Sequence, residues 1–173
     1  MKSYSFALVL VLIFSSCSKK NEVELLQEGK TAQDSSKFLL AIESYQEIIN
    51  RFQGSMYADS ALYRIAVIYN NDLHDYGKAV QSYQRYYALF PKSKEAPTAL
   101  FLSAFILNNE LHQLDSAKLA YETFLRIYPN HSLASSAKFE LETLGKDPGE
   151  FVKKEVVSSE DESAKKPGKA RKQ

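Results

Sequence analysis

The sequence predicts an all-α fold, a solenoid of about three helix-turn-helix repeats with a C-terminal capping helix. Two observations lead to this prediction. Residues of the same type recur every 38 positions through the middle of the chain, and a fixed period in this range is typical of stacked helical units. Within each period the apolar residues follow the three-and-four spacing of an amphipathic helix. We place the repeat domain at residues 22–145, between a leader and a charged tail.

The first 16 residues have the composition of an export signal. Lys2 provides a positive start, an unbroken apolar run (FALVLVLIF) follows at residues 6–14, and two serines come next. A helix needs about 20 apolar residues to cross a bilayer, so this run is too short to be a membrane span. We therefore interpret residues 1–16 as a cleaved signal peptide.

Cys17 directly follows this leader and is the only cysteine in the chain. The ending Phe14-Ser15-Ser16-Cys17 resembles the lipobox of bacterial lipoproteins, in which the thiol is acylated, although Phe14 stands where leucine is usual. The alternative is a plain secretory signal with a cysteine at that place. Acylation would explain a lone cysteine in an exported chain and would give stable membrane anchoring. We predict lipidation at Cys17, with residues 17–21 as the tether.

Five columns of small and aromatic residues keep their register through three successive units without a gap. The columns are Ala41, Ala79 and Ala117; Tyr45, Tyr83 and Tyr121; Phe52, Phe90 and Tyr128; Ala58, Ala96 and Ala134; and Ala61, Ala99 and Ala137. They predict units at about 22–55, 59–93 and 97–131. Each unit is a pair of antiparallel helices, which can bury its apolar stripe only against neighbouring units.

A further helix is predicted at about 132–145, where it caps the array. Its Glu142 occupies the position that Ala66 and Ala104 hold in the inner units. A charge at that position should prevent another unit from stacking, and repeat arrays require a polar cap of this kind.

The helix pairs resemble the tetratricopeptide repeat (TPR). The middle unit matches its pattern at Leu62, Ile65, Ala66, Tyr69, Asp75, Tyr76, Ala79, Tyr83 and Pro91, and the next unit at Leu100, Ala104, Leu107, Ala117, Tyr121 and Pro129. The opening unit matches at Leu25, Gly29, Ala41 and Tyr45 but has Glu28 and Gln53 where the family has an apolar residue and a proline. The resemblance implies a TPR superhelix.

The sequences at the ends of the units indicate which kind of TPR protein the chain resembles. Residues 90–93 (FPKS) and 128–131 (YPNH) are similar to the unit endings of the BamD-like lipoprotein of the outer-membrane β-barrel assembly machinery and of the periplasmic coordinator of the Tol-Pal system. The relationship implies a lipid-anchored scaffold that binds other envelope proteins in the bacterial outer membrane, with outer-membrane protein assembly as a candidate process. The residues after Cys17, Ser-Lys-Lys, include neither an acidic retention signal nor an acidic surface-export signal, which favours the periplasmic face. The present chain has fewer units than the assembly lipoprotein.

In this family the first helix of each unit lines a concave surface, and the resemblance places a peptide-binding groove there. The predicted groove residues are a ladder of Leu26, Tyr63, Phe101 and Phe139, a second row of Lys30, Val67 and Phe105, and the helix-end asparagines Asn70, Asn71, Asn108 and Asn109. An asparagine side chain can both donate and accept, which suits the main chain of an extended peptide. Aromatic residues supply much of the affinity at interfaces.

Both parts of the groove prediction have an alternative. Aromatic residues at helical spacing are often core residues, and the long unit could bury Tyr63 and Phe101 against the next helix. The asparagines could serve only to end their helices.

Nothing in the sequence indicates catalysis, a cofactor or a small-molecule substrate. It contains no Gly-rich phosphate loop, no Gly-x-Ser-x-Gly elbow and no Cys-x-x-Cys pair. His74 and His112 lie one repeat apart, roughly 10 Å in a packed array, and cannot both come within about 2 Å of one metal. The formal net charge of +1 gives no reason to expect nucleic acid. We predict a protein that is not an enzyme and holds no metal.

Residues 146–173 are rich in Lys, Glu, Ser and Pro, the composition of a disordered charged tail. Its basic end, Lys165, Lys166, Lys169, Arg171 and Lys172, could attract anionic lipid or an acidic partner, or the tail could only increase solubility. Two functions are therefore open: an adaptor that holds a peptide or loop of a membrane partner in the groove, and a structural spacer whose basic tail contacts anionic lipid or polymer.

Overall fold

The computed structural model describes residues 19–146 and confirms the predicted all-α fold. Seven α-helices and no strand occur in this range. They are α1 (Glu22–Asp34), α2 (Phe38–Arg51), α3 (Met56–Val67), α4 (Tyr76–Leu89), α5 (Ala96–Asn109), α6 (Leu114–Ile127) and α7 (Ala134–Thr143), and a π-helical turn (Ile68–Asp72) extends α3. The predictions for the leader, for Cys17 and for the tail beyond residue 146 lie outside the described residues.

Successive helices run antiparallel. We call α1, α3, α5 and α7 the A helices and α2, α4 and α6 the B helices. Arg51, at the end of α2, donates from Nη2 to the carbonyl oxygen of Lys20, just before α1, over 2.9 Å. The A helices are neighbours of one another, since Arg64 of α3 reaches Gln33 of α1 and Asn108 of α5 reaches Glu140 of α7. The A helices therefore form one face of a stacked array.

The recurring small residues allow the helices to approach closely. The alanine column Ala41, Ala79 and Ala117 is buried, as is the tyrosine column Tyr45, Tyr83 and Tyr121. Gly29 of α1 contributes to the same packing, because a Cβ at this position would overlap the Tyr45 ring. Four of the five columns that define the sequence period are thus buried in the core of the array, and the fifth (Phe52, Phe90 and Tyr128) is half-buried against it.

Each connection from an A helix to a B helix turns through one residue in the left-handed region. These residues are Ser36, His74 and His112, with φ of 57°, 51° and 52°. They stand 38 positions apart, like the core columns. Histidine is among the residues enriched in this backbone region, so the repeated histidine has a role in the turn.

The last helix, α7, packs on α6 through Ala134 and Ala137, which are buried. Glu142 and Phe139 on the same helix are exposed. Among residues 19–146 no helix is long and apolar enough to cross a membrane.

Candidate binding pocket

A pocket of about 630 Å³ opens on the face formed by the A helices, the predicted concave surface. It lies between the end of α1, the length of α3 and the connection from α4 to α5, and we call it the A-face pocket. Its lining residues are Gln33; Met56, Asp59, Ser60, Tyr63, Arg64 and Val67; and Ser93, Lys94 and Glu95.

Helix α3 supplies most of this lining from a single stripe. Its N-cap, Ser55, accepts a hydrogen bond from Tyr57 N over 3.0 Å, which satisfies one of the free amides at the helix start. From that start, Ser60, Tyr63, Arg64 and Val67 follow at three- and four-residue intervals and so share one side of the helix. The opposite side of α3 carries the buried Ala61, Leu62, Ile65 and Ala66.

A polar network stabilises the side of the pocket that the α4–α5 connection forms. The Tyr86 hydroxyl lies 3.2 Å from Asp59 Oδ1 and 2.6 Å from Ser93 Oγ, and Ser93 Oγ lies 2.9 Å from Glu95 Oε2. Burial, the largest cause, raises the pKa of Tyr86 well above its ordinary value, so the phenol stays protonated and can donate. The network fixes the α4–α5 connection against α3.

Arg64 borders the pocket and connects α3 to α1. Its Nη1 donates to Gln33 Oε1 over 3.3 Å, and the same oxygen accepts from the Tyr45 hydroxyl over 3.2 Å. Its Nε is buried and has no hydrogen-bond partner among the described residues. Because an arginine fork binds carboxylates and carbonyl oxygens well, Arg64 gives the pocket wall a group that suits a hydrogen-bond acceptor on a ligand.

The charges around the pocket are balanced. Arg64 and Lys94 face Asp59 and Glu95, and Lys94 Nζ lies 3.3 Å from Glu95 Oε1. Burial raises the pKa of Tyr63, and the nearby Glu95 carboxylate raises it further. A pocket with both signs of charge and a tyrosine ring suits a polar peptide segment better than a purely apolar ligand.

Only part of the predicted ladder is accessible to a ligand. For Leu26 and Phe101 the prediction of an exposed position is wrong. Leu26 is 8% exposed and Phe101 9% exposed, and both belong to the core. Phe101 lies edge-on to Tyr121 and Phe124 with ring centroids 5.9 Å apart in each pair. The B helix behind it supplies rings that cover it, so it has little area left for a ligand.

Tyr63 occupies the equivalent position in α3 but is half-buried. It lies edge-on to Tyr83 and Tyr86, at 5.8 and 5.2 Å between ring centroids. The rest of its ring borders the A-face pocket, as does Val67. Of the other predicted groove residues, Lys30 and Phe105 are half-buried, and Phe139 is 59% exposed.

The predicted asparagines make local contacts at the ends of their helices. Asn70 Nδ2 donates to Asn71 Oδ1 over 2.6 Å inside the π-helical turn, and Asn109 Nδ2 donates to the carbonyl oxygen of Phe105 over 3.1 Å. Asn108 reaches Glu140 Oε2 of α7 over 3.1 Å. None of the four lines the A-face pocket, so their role in holding a peptide stays a prediction.

The described part of the chain contains no cluster of three His, Cys, Asp or Glu side chains that could hold a metal ion. His74 and His112 are exposed. The side chains that line the A-face pocket offer hydrogen-bonding and charged groups for binding.

A comparison with protein families identifies the family to which this helical array belongs. The chain matches the family described as YfiO, outer membrane lipoprotein, over residues 18–147, which includes all seven helices. The chain belongs to the YfiO family of outer-membrane lipoproteins. Membership confirms the predicted relationship to BamD-like, TPR-type lipoproteins and the assignment to the bacterial envelope. No curated protein matches the sequence.

Most of the pocket of this YfiO-family chain was absent from the sequence prediction, which named only Tyr63 and Val67 among its lining residues. One available signal was Arg64, a charged residue between the apolar Leu62 and Ile65 in a helix that is otherwise largely apolar. Lys94 and Glu95 gave no comparable signal, because charged residues are ordinary in a connection between helices.

Proposed function

We propose that this chain is a lipid-anchored adaptor that holds a peptide or loop of another envelope protein in the A-face pocket. The observation that carries the proposal is an open volume of about 630 Å³ on the A face that Tyr63, Arg64 and Glu95 line together. A guanidinium, a carboxylate and a tyrosine ring in one open pocket can bind the charged, polar and apolar groups of a single peptide segment.

The shape of the lining supports a peptide as the ligand. Tyr63 gives a partly exposed ring and Val67 an apolar patch, while Ser60, Asp59 and Glu95 can meet the backbone amides and carbonyl groups of an extended segment. Membership in an outer-membrane lipoprotein family supports envelope proteins as the partners. Binding of this kind needs neither a cofactor nor a metal.

The proposal includes acylation of Cys17 and a place on the periplasmic face of the outer membrane. The lipobox-like ending at Cys17 supports acylation, and the family description supports the membrane. A Cys17→Ser variant should be exported but should lose palmitate labelling and should be released from membranes by a high-salt wash, whereas wild type should stay labelled and membrane-bound.

Binding in the pocket is tested with a crosslinker at its rim and with a large side chain that occupies its volume. A photoreactive residue in place of Met56, which lines the pocket and is 81% exposed, should crosslink to a defined segment of one envelope protein, identified by mass spectrometry. Ser60→Trp, added to that variant, should remove most of the crosslink because the indole occupies the ligand's place.

Ser136→Trp is the matched control, since Ser136 holds the position of Ser60 two repeats later, in α7. It adds the same side chain to the same face but lies outside the pocket. Both variants should unfold at the wild-type temperature. Retention of the crosslink in Ser60→Trp, or its equal loss in Ser136→Trp, would count against a ligand in this pocket.

The second candidate is a structural spacer without a ligand on this face. The burial of Leu26 and Phe101 favours it, because the apolar ladder is not a continuous exposed strip. A spacer predicts that Ser60→Trp leaves every crosslink and the growth of cells unchanged.

A further inference from the structure

The two long edges of the array differ in charge. At one edge the B helices end and the A helices begin, and we call it the anchor edge; at the other the A helices end and the B helices begin, and we call it the far edge. We compare the three connections at each edge, together with two helical residues on either side. The anchor edge carries Arg51, Lys92, Lys94 and Arg126 against Glu95 alone, and the far edge carries Lys37 against Asp34, Asp72, Asp75, Glu110 and Asp115. Two of these charges are paired with residues just outside the compared ranges, Arg51 with Glu47 and Asp75 with Lys78, and the difference in sign remains.

The chain enters the array at the anchor edge. Lys20 lies just before α1, and its carbonyl oxygen accepts the 2.9 Å hydrogen bond from Arg51. An extended chain spans at most about 3.6 Å per residue, so three residues of tether can separate Lys20 from an acyl group on Cys17 by at most about 11 Å. An acyl group on Cys17 would therefore bring the basic edge close to lipid.

The anchor edge also exposes large apolar side chains. Met56 is 81% exposed, Leu89 53% and Ile127 39%, and Leu89 borders a cleft of about 400 Å³ together with Arg85 and Ala88. The far edge exposes Leu39, Leu40 and Leu114 as well. Exposed apolar area is therefore common to both edges, and the sign of the charge distinguishes them.

We propose that the anchor edge lies against the anionic headgroups of the membrane that holds the lipid anchor, with Lys92 and Arg126 over the headgroups and Leu89 and Ile127 at the lipid interface. The inference rests on acylation of Cys17. Basic residues are attracted to anionic lipid, and this attraction fades within a Debye length of about 8–10 Å, a distance that the short tether can bridge. The acidic far edge would be repelled and would point away.

The depth of two labelled positions tests the orientation. Full-length acylated protein is placed in vesicles of phosphatidylethanolamine and phosphatidylglycerol, with an environment-sensitive fluorophore on either Leu89→Cys or Leu39→Cys. The two leucines lie on B helices at opposite edges and are both well exposed. The label at 89 should shift to the blue and be quenched by nitroxide lipids; the label at 39 should be quenched by iodide.

The outcomes separate the orientation from the anchor. If the protein does not float with the vesicles, acylation is missing and the proposed anchoring fails. If it floats but both labels are equally open to iodide, the anchor stands and the edge contact is wrong.

Charge reversal gives a second, independent test in the mature Cys17→Ser chain (residues 17–173), which lacks both the leader and the acyl group. Lys92→Glu with Arg126→Glu should reduce binding to phosphatidylglycerol vesicles on the order of tenfold or more. Lys37→Glu with Lys118→Glu changes the net charge equally, in and near the far edge, and should reduce binding much less. An equal loss in both pairs would assign the binding to overall charge or to the tail and overturn the proposal.

Discussion

Tyr63 in α3 and Phe101 in α5 hold the same repeat position, yet one borders an open pocket and the other is buried. The neighbouring positions differ in the same sense. Arg64 in α3 corresponds to Leu102 in α5, and Tyr86 in the B helix α4 corresponds to Phe124 in the B helix α6, so the polar side chains around Tyr63 are replaced by apolar ones around Phe101. The repeat thus fixes the backbone of both halves of the array, while a few substitutions decide which half stays open to a ligand.

The largest effect on the free energy of unfolding is expected at Phe101, where neighbouring rings cover the A-helix side chain. Phe101→Ala should lower the free energy of unfolding by about 3–5 kcal/mol, because it leaves a cavity against Tyr121 and Phe124. Tyr63→Ala removes a half-exposed ring and should cost about 1–2 kcal/mol. Denaturant unfolding measures both, and equal losses would mean that the two halves are packed alike.

An intermediate effect on the free energy of unfolding is expected from removing a tyrosine hydroxyl on the B helices α4 or α6. Tyr86→Phe removes the contacts with Asp59 and Ser93 and should cost about 1–2 kcal/mol. Tyr121→Phe is the control, because the Tyr121 hydroxyl is buried with no hydrogen-bond partner in residues 19–146. Thermal unfolding should show no loss for this second variant; a loss as large as that of Tyr86→Phe would indicate a partner, such as water, for Tyr121.

The smallest effect on stability is expected at Arg64. Arg64→Leu gives α3 the residue type that α5 has at Leu102, removes the unsatisfied Nε and should change the free energy of unfolding by less than about 1 kcal/mol. The same variant should lose the crosslink from position 56, whereas Arg85→Leu, on the exposed side of a B helix, should keep it. A crosslink that survives Arg64→Leu would exclude the arginine from binding.

The sequence is sufficient to predict the fold because most of the residues that set the period are also the core. Ala41, Ala79 and Ala117 recur for the same reason that they are buried: only a small side chain fits where the helices of a unit meet. The same regularity predicts the left-handed turn residues in principle, since Ser36, His74 and His112 keep the period too.

The pocket could not be predicted in the same way. The repeat position of a residue predicts which way its side chain points, but it does not predict whether neighbouring side chains cover it. Phe101 points as Tyr63 does, but the rings of Tyr121 and Phe124 cover it. Ser93 and Glu95 come from a connection, and they join the site only through the fold of the chain around Tyr86.

The number of helices decides where the chain leaves the array. The described residues contain an odd number, seven, so α1 and α7 point in the same direction and α7 ends at the far edge. Its ten residues span about 15 Å at about 1.5 Å per residue. The last described residues, which follow α7, therefore lie at the far edge, and a segment that continues from them begins roughly one helix length from the anchor edge.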